Sequence, residues 1–286
     1  MHISLDSALG RQRRLNSVGE SVLQIAPNAA AAYSLRSLTG GDPKVVRVRR
    51  DTDGGAGDND EQDFTASEVS SGALAAFVGS GNDGFVETWY DQSGNGKDAV
   101  QETAANQPLL VVSGVVLSGL NFDGSTSSRT LVAPSVTGLA GSLSIFSVSV
   151  RDATGNTVSL SNSSSGGRYF AIQEAGSASV ANPRNITNKT VSDSVSGANR
   201  LTFAVTTGAT STSVGANSSA VTTSTDDYGD DFSGTHINQI AIGVLRTASP
   251  TGYFNGRINE ILVYNSDQTD NRTAVETNIN SHYSLF

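Results

Sequence analysis

The sequence predicts an all-β protein built as an antiparallel sandwich or jelly roll. Candidate strands recur at regular spacing, separated by Ser/Thr/Gly/Asn-rich turns. The composition suits strands and tight turns: 30 Gly among 286 residues, 16% charged and 6% aromatic, with Val and Thr favouring strands and Gly and Asn favouring turns. No apolar stretch reaches the length of about 18 residues that a membrane-spanning helix needs.

Residues 1–28 read as an attachment arm and residues 29–286 as the jelly-roll body. In the arm, Arg11, Arg13 and Arg14 cluster among small and polar residues, and the hydrophobic pattern is weak. Two readings stay open: docking on a partner protein, or a solvated basic tail. Three arginines are a small footprint for a nucleic-acid tether. The opening MHISLDSALGRQRR has no apolar core of the signal-peptide kind, so secretion by the general route is not expected.

Charge is unevenly spread. Residues 1–50 hold eight Lys+Arg against three Asp+Glu, and the remainder ten against 24, within a net charge of −9. A basic arm on an acidic body fits an arm that docks on an acidic partner, and the acidic body argues against non-specific nucleic-acid binding. There is no cysteine, which excludes disulfides, thiolate nucleophiles and Cys-ligated metals and fits a reducing cytoplasm.

The body opens with AAAAYSLRSL (29–38), a short helix or a first strand. KVVRVRR (44–50) alternates and reads as a strand, residues 64–68 are a candidate strand, and GALAAFVG (72–79) has the spacing of a two-turn helix ending at Gly79. Residues 85–90 alternate as a strand that runs into a glycine-rich turn. Strand candidates follow at LLVVSGVV, GLNFDG, LSIFSVSV, RYFAIQE, RLTFAVTT, NQIAIGVL and GYFNGRINEILVYN. Core positions include Leu143 and Ile145 and, through a shift in the alternation, Val148 and Val150. Phe254, Ile258, Ile261 and Val263 belong to a late core strand. The end reads as a helix capped at Asp267, with Val275, Ile279 and Tyr283 on the face that closes the sandwich.

The most informative run is WYDQSGNGKDA (89–99), followed by AANQPLL (104–110). Asp91, Gln92, Ser93 and Asn95 could hold a sugar by hydrogen bonds, with Trp89 or Tyr90 stacking on it. The alternative, which we favour, is that Trp89 is core and that Asp91 and Ser93 bond their own turn backbone. The acidic loop with Asp51, Asp53, Asp58 and Asp60 offers hard oxygen ligands of the kind calcium takes. The alternative is a solvated loop in which Asp51 and Asp53 pair with Arg47, Arg49 or Arg50. Asp226, Asp227, Asp230 and Asp231 read as a solvated loop tip. His2, His236 and His282 have no metal-ligand spacing. No cofactor other than calcium is expected.

YDQSG, together with YSLRSL, VVRVRRDTD, EQDF, AANQP, LNFDG and NGRINEILVYN in this order, resembles the arabinofuranosidase-B-like, concanavalin A-like sandwich module that recurs in bacteriophage particle proteins. The resemblance implies a concanavalin-like jelly roll with a C-terminal helix. It also implies a virion structural role: capsid decoration, head fibre or tail-fibre adhesin. The partners would be capsid or tail/fibre-base proteins and a host surface glycan, with assembly in the bacterial cytoplasm and homo-oligomers among the expectations. The enzymes of the family are retaining glycosidases, which need two carboxyl groups about 5–5.5 Å apart. Their nucleophile's counterpart here would be Glu174 in RYFAIQE. Where they carry the acid Asp, this chain reads Gly243-Val244-Leu245-Arg246, without a carboxylate. The expectation is therefore a binding protein, with an arabinofuranosidase-type glycosidase and a calcium-assisted lectin-like module as alternatives.

Overall fold

A computed structural model describes residues 19–51, 60–124, 128–133, 141–153, 155–161, 169–175, 177–181, 189–191, 200–207, 211–217, 221–224, 237–245 and 250–286. Among the described residues, eighteen strands are linked by antiparallel pairing into one ladder that folds back on itself as two packed layers. The expected all-β sandwich with a C-terminal helix is what the chain forms. No helix among the described residues is long and apolar enough to cross a membrane.

The chain enters through α1 (Val22–Ile25), whose capping box joins Ser21 and Gln24. It continues through β1 (Ala29–Ser34), β2 (Lys44–Asp51) and β3 (Glu61–Thr65), then α2 (Ala66–Ser71) and α3 (Ala73–Val78). Next come β4 (Asp83–Trp89), β5 (Ala99–Val100), β6 (Leu109–Val112), β7 (Val115–Asp123) and β8 (Leu131–Ala133). The later strands are β9 (Ser144–Ala153), β10 (Gly155–Ser161), β11 (Tyr169–Ala175), β12 (Ser177–Ala181), β13 (Lys189–Val191) and β14 (Arg200–Thr207). They are followed by β15 (Ser211–Ala216), β16 (Thr222–Ser224), β17 (Gln239–Ile242) and β18 (Asn255–Tyr264), and the chain closes with α4 (Arg272–Tyr283).

One layer runs β1-β18-β9-β14-β15-β16, and the other runs β3-β2-β4-β5-β8-β17-β10-β11-β12-β13. The β6–β7 pair bridges them, because β6 pairs with β4 and β7 with the start of β18. β18 is the central strand of its layer. It pairs with β9 along one edge, and with β7 and then β1 along the other.

Both faces of that layer are covered. Ile145, Ala204, Ile261 and Val263 face the other layer, where they meet Val48, Val86, Leu160 and Ile240. Phe146, Val148, Leu201, Leu262 and Tyr264 face the opposite way, under α1, Leu38 and α4, whose Val275 and Ile279 are buried among them. LSIFSVSV therefore needs no shift to bury Val148. Both faces of β9 are inside, as happens when a sheet carries a helix on its outer side. Phe254, Ile258, Ile261 and Val263 are all fully buried, as expected of the late strand.

Two local readings change: residues 64–68, and the start of the closing helix, whose N-cap is Asn271 and not Asp267. Of the two readings open for AAAAYS, the strand is the one formed, fixed by its pairing with β18. Residues 64–68 are not one strand: β3 ends at Thr65, which caps α2 by accepting from the Glu68 N–H while Glu68 bonds back to the Thr65 N–H. The described part of the expected arm is folded onto the body, with Val22 and Ala26 fully buried and the Tyr264 hydroxyl donating to the Ala26 carbonyl at 3.0 Å. Arg11, Arg13 and Arg14 lie outside the described residues.

If α4 seals the outer core, Ile279→Ala should cost about 2–5 kcal/mol in urea unfolding. A loss below about 1 kcal/mol would mean that the helix rests on the sheet without sealing it.

Candidate functional site

The signature run begins where β4 leaves the sheet. Trp89, the last residue of β4, is fully buried, with its ring 5.6 Å from that of Tyr33 on β1. The Tyr90 N–H donates to the Val45 carbonyl at 2.9 Å, and its hydroxyl donates to Asp63 at 2.7 Å. Burial, and then the Asp63 carboxylate, push the Tyr90 phenol up to about 12.

Asp91 then organises the turn. Its Oδ1 accepts from the N–H groups of Ala32 (2.9 Å) and Ser93 (2.8 Å). Its Oδ2 accepts from the Ser93 hydroxyl (2.7 Å) and the Lys97 N–H (3.0 Å). Four donors occupy the lone-pair directions a carboxylate offers. The Asp91 N–H is held in turn by Asp98 Oδ1 at 2.9 Å. Gly94 and Gly96 have φ of 87° and 63°, the left-handed region that glycine enters without strain.

Gln92 extends the bridge. Its side-chain amide donates to the carbonyls of Ser34 and Arg36 at 3.0 Å each and accepts from the Leu38 N–H at 2.8 Å. Asn95 donates to the Ala29 carbonyl at 2.8 Å. Asp91, Gln92 and Asn95 leave β4 in one layer and bond β1 and its continuation in the other. Among the residues considered as sugar ligands, Trp89 has no open face, and the Asp91 and Gln92 side chains are spent on the protein's own backbone. Tyr90 is half-buried, and Asn95 is exposed.

Beside Asn95 lies a cleft of about 460 Å³ lined by Asn28, Ala29, Ala30, Ser93, Asn95, Lys97 and Asn265. Asn28 sits at φ 65°, a conformation Asn tolerates better than most side chains. Three carboxamides, a hydroxyl and an ammonium group make this wall a donor-and-acceptor surface that matches a polyhydroxylated ligand. None of the lining residues is a carboxylic acid. Asn28 and Asn265 carry no signal in the sequence. They flank β1 and β18, and the Ala29–Tyr264 pairing brings them together.

The other candidates are scattered. Glu174 lies in β11 with its backbone opposite Gly155 and Ala178. Gly243 has φ 78°, and an added Cβ there would collide with the Phe122 ring; Val244 beside it is buried. Asp60 pairs with Arg50 at 2.6 Å, while Glu61 and Asp63 pair with Arg47 and Lys44 with Asp63. Asp51 ends β2 opposite Asp83. Asp53, Asp58, the acidic tip at residues 226–231, His2 and His236 lie outside the described residues. Among the described residues, no group of three or more His, Asp or Glu is placed to hold a metal ion.

Sequence reasoning missed a buried charge cluster under α4. The Glu260 side chain, 1% exposed, takes two bonds from Arg36 (2.7 and 2.9 Å), one from the Ser34 hydroxyl (3.0 Å) and one from the Tyr283 hydroxyl (3.1 Å). Arg36 also donates to Asn278 at 2.9 Å. His282 stacks edge-on against Tyr283, with ring centroids 4.5 Å apart. Burial, and then Arg36, hold its imidazole below the ordinary value, partly opposed by Glu260. The only signal available was NINSHY in the closing helix, and its partners come from β1 and β18.

No family model and no curated protein matches the chain. Its fold is similar to that of a GH54 α-L-arabinofuranosidase soaked with a cyclic sulfate inhibitor. That likeness has a TM-score of 0.65 and 14% identity, over 92% of this chain and 64% of the other. It is also similar to an arabinofuranosidase complexed with arabinofuranosyl-α-1,2-xylobiose, with a TM-score of 0.64, 15% identity and the same coverage. At such identities the likeness is one of fold. The chain spans less than two thirds of the length of these proteins.

Asp91→Asn should cost about 1–3 kcal/mol in chemical denaturation, because it strips acceptors from main-chain donors. A change within about 0.5 kcal/mol, as for an ordinary surface substitution, would contradict the clamp. A second expectation concerns pH. The lowered imidazole of His282 means the unfolded chain binds the proton more readily, so stability is lost as pH falls through the range just below the usual imidazole value. His282→Asn should flatten that slope in melting curves, and an unchanged slope would assign it to other groups.

Proposed function

We propose that this protein is a non-enzymatic carbohydrate-binding sandwich, carried on a larger assembly by its basic N-terminal segment. The observation that carries the reading is the carboxamide-lined cleft at Asn28, Asn95 and Asn265. Amides positioned by strand ends and a bonded turn can hold sugar hydroxyls without reorganising, which is how preformed sites gain affinity. Hydrolysis by a retaining route needs a carboxylate pair, and the cleft wall offers none. The likeness of fold to arabinofuranosidases supports a sugar ligand and leaves the enzyme reading as the rival.

The finer assignment rests on the sequence resemblance: a structural component of a bacteriophage particle, whether capsid decoration, head fibre or tail-fibre adhesin. Weak single sites suit such a role, because many copies on one particle raise the effective concentration.

Glycan-array binding by the full chain should fall about tenfold or more on Asn265→Ala, the loss of roughly 1.4 kcal/mol of contacts. 4-Nitrophenyl arabinofuranoside should not turn over. Turnover that is lost in Glu174→Gln would overturn the binding reading in favour of the glycosidase. For the particle assignment, a pull-down against capsid and tail proteins should retain one of them with the full chain and lose it without residues 1–18. Retention of neither, with both chains folded, would contradict it.

A further inference from the structure

On the outer face of the second layer, two guanidinium groups converge on one aromatic ring. Arg49 on β2 stands directly opposite Phe85 on β4, and its Cζ lies 4.7 Å from the ring centroid. Arg129, in the segment leading into β8, brings its Cζ to 5.9 Å from the same centroid. Leu109 pairs with Phe85, and Asn121 pairs with Leu109, so the row continues across β6 and β7.

Among the described residues, neither cation makes an ion pair. Arg49 is 8% exposed, yet its hydrogen bond is from Nε to the neutral amide oxygen of Gln107, at 2.9 Å. Gln107 is itself 2% exposed and is fixed by its own bond to the Gln101 carbonyl at 3.0 Å, so its oxygen stays turned to the guanidinium. Arg129 has a buried Nε without a hydrogen-bond partner. Among the described residues, no carboxylate lies within ion-pair distance of either arginine. Burial holds the Arg129 guanidinium below its ordinary value, with Asp123 and Asp83 only partly compensating from a distance.

A buried cation such as Arg49 is unfavourable without a counter-charge, and a half-buried second one over the same ring, Arg129, repels it. Cation–π contact offsets part of that cost. An oxyanion removes both penalties, since guanidinium forks match the two oxygens of a carboxylate in geometry and charge. The apolar and amide-bearing row beyond Phe85 offers a surface along which a sugar ring can lie.

We propose that Arg49, Arg129, Phe85 and Gln107 form a binding site for the carboxylate of an acidic saccharide, separate from the carboxamide-lined cleft at Asn95. This inference rests on the carbohydrate-binding reading and names a ligand class for it.

The test is a titration of the full chain followed through the arginine Nε–Hε resonances, with three probes: glucuronate, the neutral methyl glucoside, and acetate. Glucuronate should move the Arg49 and Arg129 resonances and saturate, the glucoside should leave them in place, and acetate should bind more weakly. Arg129→Gln removes a half-buried side chain that makes no hydrogen bond, so it should keep the melting temperature while lowering glucuronate affinity about tenfold or more. Unmoved resonances, or an affinity unchanged in Arg129→Gln, would overturn the site. Equal binding of glucuronate and acetate would overturn the saccharide part. Equal binding of glucuronate and glucoside would overturn selection for acid. In each case a positive glycan array that depends on Asn265 would leave the carbohydrate-binding reading standing.

Discussion

The Asp91 carboxylate is the interaction on which the rest of the molecule's geometry depends. It accepts four hydrogen bonds, three from the turn that follows it and one from Ala32 on β1. The first three shape the turn, and the last ties β4 in one layer to β1 in the other. Gln92 adds three side-chain bonds to the last residue of β1 and the stretch beyond it. Hydrogen bonds to a charged acceptor are the stronger kind, and here they replace the main-chain ladder at a point where two layers meet without pairing directly.

That junction determines which polar side chains face outward. With Asp91 and Gln92 committed inward, the outer rim of the turn presents Ser93, Asn95 and Lys97, and the β1–β18 register adds Asn28 and Asn265. The same register places Ser34 opposite Glu260 and so assembles the cluster that holds α4. One strand pair thus aligns a polar cleft at one end and a buried ion pair at the other. The polar groups at the cleft are amides, a hydroxyl and an ammonium, the donors and acceptors on which the proposed sugar binding rests.

Much of the fold was legible because alternation and turn residues are local properties. The late strand with Phe254, Ile258, Ile261 and Val263, the α3 segment between Gly72 and Gly79 and the closing helix follow from spacing alone. β9 misled because both of its faces are buried, so alternation between Ile145 and Val148 marks two cores rather than an inside and an outside. The Thr65–Glu68 capping box was written in the sequence as T-x-x-E, but it was masked by the strand-like Phe64. Of the site, the signature turn was legible and its structural reading fits the geometry. Asn28, Asn265 and the Arg49–Phe85 pairing were not, because each is created by register between strands distant in sequence.

The central claim is that the Asp91 and Gln92 side chains of the signature turn join the two layers instead of meeting a ligand. Native-state hydrogen exchange at the Ala32, Ser93 and Lys97 amides measures it most directly, since these three N–H groups have the Asp91 carboxylate as their acceptor. The account predicts that all three exchange only with global unfolding, at the free energy of the core strands. Exchange of Ser93 and Lys97 at the rate of an open loop, with the core still protected, would contradict it and return Asp91 to the list of groups free to hold a sugar.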